Sequence, residues 1–127
     1  MEGLVTSFYG KQVVPTIKER AIFNLSNLTT GTNVAPVFVV RSSGTPSELC
    51  LISKYVLSVD LGITVNKNGT SIATITWPST SAVNTEIVQT LTGITFAVGD
   101  VISVDITSSD GSINSTGIAT LILSYTT

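Results

Sequence analysis

A chain of 127 residues, 43% apolar and 11% charged, is one domain's worth and can bury a core without disulfides or metals. Its net charge of −2 gives no general basic field for nucleic acid, and its lack of histidine removes Ser-His-Asp and Cys-His catalysis and every His-containing zinc arrangement. One cysteine, Cys50, can make no intrachain disulfide and supplies no thiolate cage; in the apolar run 49–52 it is expected to pack in the core.

Residues 1–16 contain Gly3, Gly10 and Pro15, and their apolar members follow no clean period. They are expected to form an N-terminal arm ahead of a single β-sandwich domain over 17–127. The opening stretch MEGLVTSFYGKQ lacks the basic and apolar regions of a secretory signal, and no apolar run approaches the length of a membrane span. A soluble protein, made in the cytoplasm and not secreted, is the expectation.

From residue 17 a period of two takes hold. Residues 17–25 alternate through Ile17, Ala21, Phe23 and Leu25, and turn formers surround Gly31. Residues 34–41 read as a strand interrupted at Pro36, hence at an edge or bulged. Residues 42–47 read as a loop through Gly44 and Pro46, and 48–59 as one long strand. Asn68-Gly69 lies between two alternating runs, 63–67 and 70–77. That is the strongest short-range signal of a hairpin, because both residues tolerate the positive φ of a type I′ turn. A strand over 83–92, a short one over 94–96 and a clean one over 101–107 follow. In the last, Ile102, Val104 and Ile106 share one face, and Ser103, Asp105 and Thr107 the other. A turn at 108–112 leads to a final strand over 117–125. About eight short strands with no helix predict an all-β fold, an antiparallel β-sandwich of jelly-roll type.

Charge is unevenly placed. All six basic residues (Lys11, Lys18, Arg20, Arg41, Lys54, Lys67) precede position 68, and four acids with no base follow it. Ser and Thr make up 36 residues and fill the place that charge usually takes, a composition that suits a protomer living in an assembly.

Carboxylate pairs are what remains for an enzyme. Asp100, Asp105 and Asp110 lie at the start, on the face and beyond the end of one strand, so they do not converge, and turn chemistry accounts for them. No catalytic residue, cofactor or metal site is assigned; a loop calcium site built on Asp100 or Asp110 is the lesser alternative. Trp77 and Tyr55 either pack in the core and its interfaces or stack on a sugar. Asn24, Asn27, Asn68 and Asn114 stand in Asn-x-Ser/Thr sequons that need a secretory route to be used.

From about residue 23 onward the chain resembles a small β-sandwich domain of tailed-bacteriophage virion proteins, found in tail fibres, head fibres and capsid decoration proteins. The matching pieces, in order, are AIFNLSNLTTGTNVAPVFVV, the loop Ser43-Gly44-Thr45, LISKYVLSV, VNKNGTSI, the Gly99-Asp100 turn with VISVDIT, and a last strand after Gly117. The loop after Asp60 is shorter than the family's, and residues 1–20 have no counterpart in it. The resemblance implies a virion structural or attachment module, often trimeric, without an active site.

Two functions follow as expectations. The first is a capsid decoration or cement protein, a homotrimer located in the virion that bridges neighbouring major capsid proteins. Leu4, Val5, Phe8, Tyr9, Lys11, Lys18 and Arg20 would make its shell contact. The second is a tail-fibre or receptor-binding module that recognises a host surface glycan through Trp77 and Tyr55. Neither involves nucleic acid or a membrane. An unrelated β-sandwich module, such as a cellular carbohydrate-binding domain, is the remaining reading.

Overall fold

The period-2 patterning becomes two facing sheets. The computed structural model describes residues 17–25, 28–54, 57–109 and 119–127. Among them are eight strands: β1 (Lys18–Leu25), β2 (Phe38–Val39), β3 (Thr45–Ser53), β4 (Leu61–Lys67), β5 (Thr70–Trp77), β6 (Glu86–Thr90), β7 (Val101–Ser108) and β8 (Ala119–Thr126). They form two four-stranded sheets, in the orders β1-β8-β3-β6 and β2-β7-β4-β5. The pairs β1·β8, β2·β7, β3·β6 and β4·β5 join first strand to last and inward in sequence, as in a long antiparallel ribbon rolled up on itself. The pairs β3·β8 and β4·β7 then knit the turns of the roll into sheets. This is the expected jelly roll. No described helix is long and apolar enough to cross a membrane.

The core lies between the sheets. One sheet contributes Ala21, Phe23 and Leu25 from β1, Leu49 and Leu51 from β3, and Ala119, Leu121, Leu123 and Tyr125 from β8; the other contributes Leu61, Ile63 and Val65 from β4, Ile75 and Trp77 from β5, and Ile102, Val104 and Ile106 from β7. Facing side chains of two aligned sheets interdigitate in this way across about 10 Å. Phe38 and Phe96 each meet the Tyr125 ring edge-on, with centroids 6.0 and 5.5 Å away. Gly44 is required where the chain passes this end of the sandwich. A Cβ there would sit 2.5 Å from the Thr126 carbonyl oxygen and 2.9 Å from Tyr125 Cδ2.

The Asn68-Gly69 hairpin joins β4 to β5 as predicted, with φ of 52° and 83° at its two central residues. Other bounds differ from the sequence reading. β3 starts inside the expected loop and carries Pro46, which is accommodated by an irregularity between Pro46 and Glu48. It stops at Ser53, and Leu57 is buried from outside any strand. β6 is shorter than expected because 83–84 form a turn, with Asn84 at a φ of 63°. The short strand at 94–96 is a single bridge between Phe96 and Gly44. Ile17 precedes β1 and is 53% exposed, so it does not join the core. The strand interrupted at Pro36 shrinks to β2, and it does lie at a sheet edge.

Candidate interaction surfaces

Alternation that buries one face of a sheet necessarily displays the other. On the outer face of the β1-β8-β3-β6 sheet, the register aligns Ile22 with Ile122, Ile122 with Cys50, and Cys50 with Val88. The result is an apolar row running across all four strands. Ile22 and Val88, at its two ends, are 60% and 52% exposed. One row toward the β1 N-terminus stand Arg20, Ser124, Glu48 and Thr90; on the other side stand Asn24, Thr120, Ile52 and Glu86. A groove of about 240 Å³ follows this face, floored by Cys50, Ile52 and Ile122 and flanked by Arg20, Glu48 and Glu86. A second hollow of about 200 Å³ adjoins it and takes in Lys18 and Arg20.

Cys50 is therefore not a core residue. In the run Leu49-Cys50-Leu51-Ile52 the period of two is hidden by four consecutive apolar side chains, and the strand turns Leu49 and Leu51 inward and Cys50 and Ile52 outward. Its Sγ lies 3.8 Å from Glu86 Oε1. Partial burial, then the charges of Glu86 and Glu48, push the thiol above its usual range, so it is a poor nucleophile at neutral pH.

A second apolar surface lies at the β2 edge of the other sheet. Val39 and Val101 are directly opposed across β2 and β7, and Val98 projects from the turn just before β7. Val37, Val39, Val98 and Val101 are 47%, 43%, 67% and 36% exposed. Arg41 borders this patch, and Val39, Arg41 and Val98 share a hollow of about 370 Å³.

The carboxylates singled out in the sequence hold turns. Asp100 accepts the Ala97 N–H at 2.8 Å through Oδ2 and the Asn68 side-chain amide at 2.9 Å through Oδ1. The Ala97 bond, then the Asn68 bond, with the Lys67 charge nearby, hold its carboxyl below the usual range. Asn68 Oδ1 in turn accepts the Val101 N–H at 2.8 Å, so the hairpin tip is tied to the start of β7. Asp105 accepts the Asn33 N–H at 3.0 Å and the Asn66 amide at 2.9 Å. Among the described residues, no group of three or more His, Cys, Asp or Glu is placed to hold a metal ion. Asp110 lies outside the described residues.

Lys18 and Arg20 are brought together on the exposed outward side of β1, beside the groove. Leu4, Val5, Phe8, Tyr9 and Lys11 lie outside the described residues, as does Tyr55. Trp77 is fully buried, and its Nε1–H donates to the Thr85 carbonyl at 3.1 Å. A ring that stacks on a sugar must present a free face, and this one presents none; Trp77 plugs the core. Sequence reasoning passed over Ile22, Glu48, Glu86 and Val88, although Ile22 was legible: in Lys18–Leu25 a strict period of two sets it opposite Ala21 and Phe23.

No family model and no curated protein matches the chain. Among solved structures it is similar to a carbohydrate-binding module, CBM36, in complex with calcium and xylotriose. The identity is 15%, with 90% of this chain and 98% of that one covered, and the TM-score is 0.44. At that distance nothing of the other protein's calcium or sugar binding transfers to this chain. What the geometry itself establishes, among the described residues, is an eight-stranded jelly-roll sandwich with apolar surface on two separate outer faces.

Proposed function

We propose that this chain is a structural protein of a tailed-bacteriophage virion, a capsid decoration protein that trimerises on the shell and bridges neighbouring major capsid proteins. The observation that carries this reading is the display of large apolar side chains on two outer faces of a charge-poor domain. Such surface suits burial against other proteins. The order of the motifs shared with virion β-sandwich domains supports it, as does a jelly roll, an architecture that recurs in capsid proteins. Fold alone fixes no function, so the weight rests on the surfaces. The chain works by binding, with no catalytic step. Leu4, Val5, Phe8, Tyr9 and Lys11 reach the shell from the arm, and Lys18 and Arg20 extend that contact onto β1.

The test is a sedimentation titration of shells lacking the protein with the full chain and with a Phe8→Ser/Tyr9→Ser/Lys11→Glu variant. The expected result is saturable binding of the unaltered chain and at least about a tenfold loss in the variant, as for removal of an aromatic anchor. Failure of the unaltered chain to bind overturns the proposal. Equal binding of both proteins removes the arm from the contact.

A further inference from the structure

The two apolar surfaces differ in charge as well as position. The groove on the β1-β8-β3-β6 sheet sets two acids, Glu48 and Glu86, against one base, Arg20. The valine patch carries Arg41 at its border, and the nearby Asp100 carboxylate is occupied by Ala97 and Asn68 and accompanied by Lys67. One surface is apolar with an acidic excess, the other apolar with a basic excess. Both belong to the same chain, and they lie on different sheets.

We propose that these surfaces are the two halves of one head-to-tail contact: the valine patch of one copy, Val39, Val98 and Val101, docks on the Ile122–Cys50–Val88 row and its groove in the next, with Arg41 facing Glu48 and Glu86. A surface that met its own twin would set its excess charge against the same excess in both cases, a cost that the unlike pairing lessens. A contact between unlike surfaces is heterologous, and heterologous contacts repeat around a ring when the rotation closes. The inference rests on the oligomer of the proposed function and names the surfaces that build it.

The arrangement makes a prediction that no self-paired contact shares. Val88→Arg places a cation on the apolar row beside the groove, opposite Arg41 of the incoming copy. Val98→Glu places an anion in the valine patch, opposite Glu48 and Glu86. Both positions are more than half exposed, and thermal unfolding of each variant checks that the fold is kept.

Sedimentation velocity should find the unaltered chain assembled and each variant monomeric. An equal mixture of the two variants should associate. The Val88→Arg protein keeps an intact valine patch, and the Val98→Glu protein keeps an intact groove, so one good contact remains. Should the fold of either variant be lost, the charge exchange Arg41→Glu with Glu86→Arg in one chain replaces it: each change alone weakens assembly, by at least about tenfold for a close charge pair, and the pair together restores it. A monomeric unaltered chain, folded variants that still assemble, monomeric variants that do not combine, or an exchange that restores nothing would each overturn the contact. Shell binding by the monomeric variants, through the arm, separates failure here from failure of the decoration reading.

Discussion

At the scale of single residues, Trp77 shows how composition misleads about exposure. One tryptophan in a β-sandwich invites a sugar-binding role, yet this ring fills the space between the sheets and its polar edge is satisfied by Thr85. Replacing it by alanine removes the largest fully buried side chain and leaves the Thr85 carbonyl without its donor. The expected cost is about 3–5 kcal/mol, read as a fall in the denaturant midpoint. A Trp77→Ala protein as stable as the parent would contradict the core assignment. Cys50 erred in the opposite sense: an apolar run suggested burial, and the alternation beneath it turns the thiol outward.

At the scale of elements, the hairpin and the turn before β7 act as one unit. Asn68 supplies the positive φ that starts the type I′ turn, and its amide links Asp100 to the Val101 N–H. Asp100 has a lower pKa in the folded chain than when unfolded, so the protein gains stability from it above the unfolded value. That gain is lost as pH falls through the folded value. Stability should therefore decline below about pH 4, the ordinary carboxylate range. Asp100→Asn should shrink the decline while lowering stability at neutral pH. Thermal midpoints of the two proteins from pH 7 down to 2 check this, and identical slopes would refute it.

The same elements show what was legible. Asn68-Gly69, the alternation of β7 and the core face of β1 could be read directly, because turn chemistry and period are local. The end of β3 at Ser53 and the shortening of β6 could not. Where each run stops pairing is set by distant partners: β8 for one, β3 for the other. Pro46 within a strand was misread for the same reason, since the irregularity that admits it belongs to the ladder with β8.

At the scale of the whole molecule, the jelly roll was inferable from the number and spacing of strands, whereas its surfaces were not. Which outward residues form a continuous row depends on register across four strands that lie far apart in sequence. Ile22, Ile122, Cys50 and Val88 become neighbours only once β1, β8, β3 and β6 are side by side. Lys18 and Arg20 were legible as neighbours, since they sit two residues apart on one strand face, but the acids across the groove were not.

The central claim is that this domain sits on a capsid shell and bridges its subunits. Electron cryomicroscopy of shells saturated with the protein tests it most directly. The account predicts ordered density of jelly-roll shape, in rings of copies, over the places where neighbouring capsid proteins meet. Shells that stay bare at saturating protein would contradict it.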